Sequence, residues 1–267
     1  MLPTIPRSRS ARWLHGAYVV AFLIYLFAPL AVVVVFAFND SNFPSPPWNG
    51  FTLGWFLADG PDRVGLLHDE PLLRSIGVSF RVAVAVTLLT VAVGTCNAFL
   101  FERHNFRFRG LLYMMMLWPL VIPGVILGIS ILAFSSAIAN FAYDELGLNL
   151  LGLRPGLPLV VIGQFSFITT ITTLVISARL RKFDRTLEEA ALNLGAGRWT
   201  AVRTVTLPYL APAMLGAAVV AFLMSFENFN TTLMVVGSEA PLTIQLYSMV
   251  REGSTPVVNA VSVALMG

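Results

Sequence analysis

FDRTLEEAALNLGAGRWTAVRTVTLP, residues Phe183 to Pro208, is a charged interruption between two long apolar runs. Asp184, Arg185, Glu188, Glu189, Arg198 and Arg203 are too costly to carry through hydrocarbon, so the stretch lies in water beside a membrane. Phe183, Leu187, Ala190, Ala191 and Leu194 recur at helical spacing with charged residues between them, which predicts a short two-faced helix. Asp184 suits its N-cap, and Gly195 suits a left-handed C-terminal stop. A second helical stretch, about 198–205, leads to Pro208, where the next apolar run starts. The bland alternative is a solvated loop helix that only shields lipid headgroups.

Composition sets the class. Of 267 residues, 57% are hydrophobic and 12% charged, where a soluble domain carries about a quarter charged. Mean hydropathy is +0.78. These values describe an all-α polytopic membrane protein. The net charge of +3 gathers at the ends of apolar runs, which reflects topology and not nucleic-acid binding. Cys96 is the only cysteine, so no disulfide or thiolate metal site forms within the chain. His15, His68 and His104 are scattered without ligand spacing, and no metal site is expected. Lys182 is the only lysine and no phosphate-binding loop surrounds it, so ATP is the business of another polypeptide. With no G-x-S-x-G, no H-E-x-x-H and no intramembrane aspartate pair, no catalytic residues are assigned.

Membrane spans are expected at about 16–38, 75–101, 111–134, 157–178 and 209–236, each near the ~20 residues needed to cross hydrocarbon. The first is too long for a signal peptide and has no small-residue cleavage site after it. Arg81 lies about two turns inside the second span and must snorkel or face a polar interior. Pro119 and Pro123 bend or break the third, where Gly124 and Gly128 permit close approach of another helix. Ser166, Thr169, Thr170, Thr172, Thr173 and Ser177 line the fourth, bonding their own carbonyls or neighbouring helices. The fifth holds Glu227, Asn228 and Asn230. Between spans, 39–73, 135–156 and 237–255 read as polar loops, with Trp48, Phe51, Trp55 and Phe56 lying along the membrane surface. Residues 256–267 are too few to cross, which suggests a sixth span cut short.

Basic residues fix the orientation. Arg7, Arg9 and Arg12, then Arg103, Arg107 and Arg109, then Arg179, Arg181, Lys182, Arg185, Arg198 and Arg203 fall on one side; Arg63, Arg74, Arg154 and Arg251 fall on the other. The excess places the N-terminus and the 183–208 loop in the cytoplasm.

Glu189-Ala190-Ala191, three residues, Gly195, nine residues and Val205-Thr206-Leu207-Pro208 resemble the E-A-A-x3-G-x9-I-x-L-P loop of the inner-membrane permeases of binding-protein-dependent ABC importers, with Val205 replacing Ile. The resemblance implies a type I ABC importer transmembrane domain of about six helices in the bacterial inner membrane. It further implies that 183–208 is a cytoplasmic coupling loop in which Glu189, Ala190, Ala191, Gly195, Leu207 and Pro208 meet an ATPase. Expected partners are a homologous permease subunit as heterodimer, two ABC ATPase subunits that bind ATP and Mg, a periplasmic or lipid-anchored solute-binding protein, and membrane lipid. Within the family, Ser225-Phe226-Glu227-Asn228-Phe229 and 241–260 are similar to the PotC-like, spermidine/putrescine group. There S-x-D-D-F is usual, so Glu227 and Asn228 replace paired aspartates, and Val257 replaces a Glu.

Glu227, Asn228 and Asn230 are therefore the candidate solute path. The Glu227 carboxylate either attracts the ammonium group of a passing cation or pairs structurally, with Arg81 as one partner. The expected solute is a polyamine or related amine; iron, a thiamine-like or an amino-acid-derived solute is the alternative within the family. Competing classes are an ion-coupled secondary transporter, with Glu227 and Arg81 as a relay, and a membrane enzyme.

Overall fold

The computed structural model describes residues 9–61, 63–253 and 255–266. In chain order its helices are α1 (Arg9–Ala37) and α2 (Gly54–Leu57), then a ladder of β1 (Asp59–Gly60) and β2 (Arg63–Val64), then α3 (Glu70–Arg103), α4 (Arg109–Val121), α5 (Gly124–Leu146) and α6 (Leu157–Leu180). There follow α7 (Thr186–Asn193), α8 (Arg198–Ala201), α9 (Leu207–Phe226), α10 (Asn230–Val235), α11 (Leu242–Gly253) and α12 (Val257–Met266). Among the described residues, five helical stretches are long and apolar enough to cross a membrane: Ser10–Ala37, Glu70–Arg103, Gly124–Leu146, Leu157–Leu180 and Arg198–Phe226. The chain forms two compact units, one from Met1–Leu73 with Leu246–Gly267 and one from Arg74–Gln245.

In the first unit α1 packs on α12. The segment after α1 folds back on buried Asn39, whose Nδ2 donates to Pro47 O at 3.1 Å and whose Oδ1 accepts Asn49 N–H at 2.8 Å. Trp55 Nε1 donates to Asn39 O at 2.9 Å, and Arg63 stacks over the Trp55 ring while binding Asp40 at 2.7 Å. Trp55 thus lies inside a small folded cap. Its expected place along a membrane surface does not hold, whereas Trp48 and Phe51 remain exposed.

The second unit is built around α6, which lies along α9 and touches α4, α5 and α10. Its core joins Val78, Val82 and Val86 of α3 to Leu159, Val160 and Ile168 of α6, Ala221 of α9 and Val235 of α10. The hydroxyls of α6 serve both expected uses. Thr169 and Thr173 bond carbonyls one turn back, each at 2.7 Å, while Thr170 reaches Met116 O at 2.6 Å and Thr172 reaches Thr90 O at 2.8 Å. Gly128 lets α10 close in: a Cβ there would lie 2.9 Å from Thr231 O and Met234 Cβ.

Three boundaries differ from the hydropathy pattern. The apolar run 111–134 is two helices, α4 ending at Val121 and α5 starting at Gly124, because Pro123 denies Ile122 the helical conformation. The crossing-length helix is 124–146, and its last turns occupy part of the stretch expected to be loop. The expected span 209–236 starts earlier, as Arg198–Phe226, and breaks before Asn230. The expected loop 237–255 contains the helix α11.

Candidate functional site

The loop 183–208 takes its shape from local chemistry at both ends of α7. The Asp184 carboxylate accepts the Thr186 N–H at 3.0 Å, and that backbone bond, followed by the Thr186 hydroxyl, holds its pKa below the usual carboxylate value. At the other end Ala196 N–H bonds Ala191 O at 3.0 Å and Gly195 N–H bonds Leu192 O at 2.9 Å. This paired pattern needs a left-handed residue between, and Gly195 supplies it at φ +90°. A Cβ on Gly195 would meet nothing within 4 Å, so the glycine is required by backbone conformation and not by space.

From Arg198 the chain is helical through α9, with a widened turn at Val202–Thr206 in which Leu207 N–H reaches back to Val202 O. The widening lies just ahead of Pro208, whose ring and missing N–H would otherwise disrupt the preceding turn. The expected separation into a short helix and a new start at Pro208 is replaced by one continuous rod.

A side chain that the spacing did not single out ties the loop to the membrane helices. Glu188 receives both arms of Arg103, from the last turn of α3, at 3.0 Å each, and the Thr206 hydroxyl also donates to it. The two ionic side chains are only 14% and 19% exposed. Arg103 also stacks on Phe183, which is buried against Tyr209. Alongside, Arg181 binds Glu102 at 2.8 Å; that hydrogen bond and its charge hold the guanidinium even more firmly protonated than usual. Nothing in a single sequence pairs Arg103 with a residue 85 positions away.

With that anchor buried, α7 and α8 turn an apolar surface outward. Leu187, Leu192, Leu194 and Trp199 are exposed, Leu194 at 89%. Glu189 and Ala190 lie on the same open surface, Ala191 is half-buried, and Gly195 is exposed. Leu207 is half-buried and Pro208 exposed at the start of α9. The apolar face predicted for α7 is thus only partly inward: Phe183 is buried, whereas Leu187, Ala190 and Leu194 are not.

The second candidate region is the break between α9 and α10. Glu227 and Asn230 are exposed there and Asn228 is half-buried. Asn228 Oδ1 accepts the Thr232 hydroxyl at 2.9 Å and the Thr232 N–H at 3.2 Å, while Asn228 O accepts from Thr243 at 3.0 Å. Thr232 in turn accepts from Gln164 Nε2 at 2.9 Å, and Gln164 Oε1 accepts from Ser225. Gln164 is 1% exposed on α6. This buried amide fastens both sides of the break, and the sequence reading did not find it. Glu227 therefore sits at the open C-terminal end of α9, where the helix dipole adds partial negative charge. Arg81 is not its partner: Arg81 faces Glu239 at 3.8 Å, which also binds Arg74 at 3.2 Å.

Comparison with known proteins agrees with this architecture. Residues 91–267 match the family described as binding-protein-dependent transport system inner membrane component. The chain is 30% identical over 249 residues to the putrescine transport system permease protein PotI of Escherichia coli K12, covering 91% of this chain and 82% of that protein. It is 28% identical over 256 residues to the spermidine/putrescine transport system permease protein PotC of the same organism, covering 96% and 89%. A PotC homolog of Mycoplasma pneumoniae is 27% identical over 248 residues, covering 90% and 81%. Among solved structures, a bacterial ABC transporter involved in the import of the acidic polysaccharide alginate superposes with a TM-score of 0.70 at 14% identity, over 98% of this chain and 94% of that one. That likeness shows a shared fold, and together with the family match it fits the transmembrane domain of a type I importer. With most of its length inside the family match and helices suited to a bilayer, the chain belongs to the inner-membrane permease components of binding-protein-dependent transport systems.

Proposed function

We propose that the chain forms half of the translocation path of an ATP-driven importer for a polyamine or related amine, working by alternating access. The observation that carries the solute class is Glu227, an open carboxylate at the negative end of a broken helix. Interrupted membrane helices use such ends to hold cations. The relatives that bear putrescine or spermidine in their names support the same class.

In this reading the permease pairs with a homologous subunit, two ATPase chains bind and hydrolyse ATP with Mg, and a solute-binding protein delivers the amine from outside. The N-terminus and the 183–208 loop face the cytoplasm. Closure of the ATPases pushes on α7 and α8 through their exposed apolar surface and on Glu189, Ala190 and Ala191. Gly195 keeps the loop in shape, and the Arg103–Glu188 tie passes the push to α3. The rod through Leu207 and Pro208 passes it to α9 and so to the break beside Glu227, Asn228 and Asn230.

Uptake into proteoliposomes rebuilt from the permease pair, the ATPase and the receptor tests the proposal. Putrescine or spermidine should enter only with ATP inside the ATPase compartment. Uptake that needs an ion gradient and ignores ATP would refute the mechanism, and transport of iron or a thiamine-like solute in place of amines would refute the substrate class.

A further inference from the structure

Beside the coupling loop, the second unit carries two depressions that run into one another. One is a groove of about 670 Å³ whose walls are apolar, formed by Ala92, Cys96 and Leu100 of α3, Trp199, Leu207 and Met214. The other, about 460 Å³, is ringed by Arg103, Arg185, Arg198 and Glu188 with the imidazole of His104 beside them. Phe99, His104 and Val202 line both, so the apolar groove opens directly into the charged one.

The charge in the second depression does not cancel. Glu188 is committed to Arg103 and Thr206. Among the described residues no carboxylate lies within ion-pair distance of Arg185 or Arg198; Arg185 donates to the carbonyl of Glu102 at 3.2 Å, which leaves its charge unneutralised. Two guanidinium groups and an imidazole therefore face an open space at the end of an apolar channel. A ligand that matches both halves has an anionic head and a hydrocarbon tail. Near a membrane surface the abundant molecule of that description is an anionic phospholipid, and basic residues there attract such headgroups.

We infer that this double depression binds one anionic phospholipid, its phosphate against Arg185, Arg198 and His104 and an acyl chain along Cys96 and Met214. The bound lipid fills the crevice between α3 and the coupling loop, so lipid charge and loop packing are linked. The site does not depend on which solute is carried, and it survives even if the polyamine proposal fails.

The test uses the assembled transporter, with cysteines of the other chains replaced, equilibrated in vesicles containing equal amounts of phosphatidylglycerol and phosphatidylcholine. Lipid retained after purification is counted by native mass spectrometry. Phosphatidylglycerol should be enriched, and each of Arg185→Gln and Arg198→Gln should cut that enrichment about fivefold. Arg185→Lys, which keeps the charge, should preserve it. Cys96 supplies the location: modifying it with a bulky maleimide before lipid exposure should abolish the enrichment, while a Cys96→Ser protein treated alike keeps it. Equal retention of the two lipids, or enrichment unchanged in the Arg185→Gln/Arg198→Gln double variant, would overturn the site. So would a Cys96 that cannot be modified in any lipid mixture, since a protein neighbour would then cover the groove.

Discussion

Arg103 and Glu188 meet through two parallel hydrogen bonds of 3.0 Å, joining the end of α3 to α7 in the 183–208 loop. The pair is mostly shielded from water, which separates it from surface ion pairs that contribute almost nothing. Its geometry is also directional, since a forked guanidinium facing a carboxylate resists rotation as well as separation. Any motion of the loop that keeps this pair intact carries the end of α3 with it.

Glu188→Gln should destabilise the permease by about 2–3 kcal/mol, because Arg103 is left largely buried without its counter-charge. A double-mutant cycle with Arg103→Gln, read from thermal unfolding in detergent, should show strong coupling between the two. Strictly additive effects would mean that the contact carries no load.

Gly195→Ala should cost about 1–2 kcal/mol at the end of α7, since the added Cβ meets no atom but the positive φ disfavours it. Gly195→Asn should be milder, because asparagine tolerates the left-handed region. The readout is the ratio of ATP hydrolysed to solute imported, which should rise for alanine and less for asparagine.

Glu227→Gln should lower uptake of a diamine about tenfold, the worth of one charge-assisted bond, without affecting assembly. Glu239→Gln is the internal control. Its partners Arg74 and Arg81 are well exposed, so stability should change by no more than about 1 kcal/mol. Uptake kinetics of the two variants, measured side by side, decide whether the carboxylate at the break has a special role.

Gln164→Leu leaves the Ser225 hydroxyl without its acceptor and takes from Thr232 the bond it accepts, although Thr232 still donates to Asn228, and should cost about 1–3 kcal/mol. Replacing all three together, with Ser225→Ala and Thr232→Val, should recover much of that loss, because no polar group is then left without a partner. Unfolding midpoints of the single and triple variants check it.

The short helix of the 183–208 loop and its glycine turn were legible because its charges interrupt an apolar chain and because a left-handed glycine has few substitutes at a helix end. Crossing helices were legible as apolar runs, but their limits were not. Hydropathy ignores the rule that Pro123 imposes on Ile122, and it discounts Ser135, Asn140 and Asp144, which α5 carries from its middle to its end. Glu188 and Gln164 were missed for a different reason. Each acts through partners far along the chain, and local spacing holds no record of them. Arg81 shows the reverse error: two intramembrane charges invite pairing on paper, yet Glu239 is the carboxylate within its reach.

The central claim is that the outward surface of α7 and α8 is the grip of a separate ATPase, and Leu194 reports on it most directly. In a Cys96→Ser background, the alkylation rate of Leu194→Cys is measured on the permease pair alone and on the pair assembled with its ATPase. The account predicts fast reaction without the ATPase, as the 89% exposure of Leu194 requires, and a rate typical of a buried thiol once the ATPase is bound. Equal rates in the two preparations would contradict it.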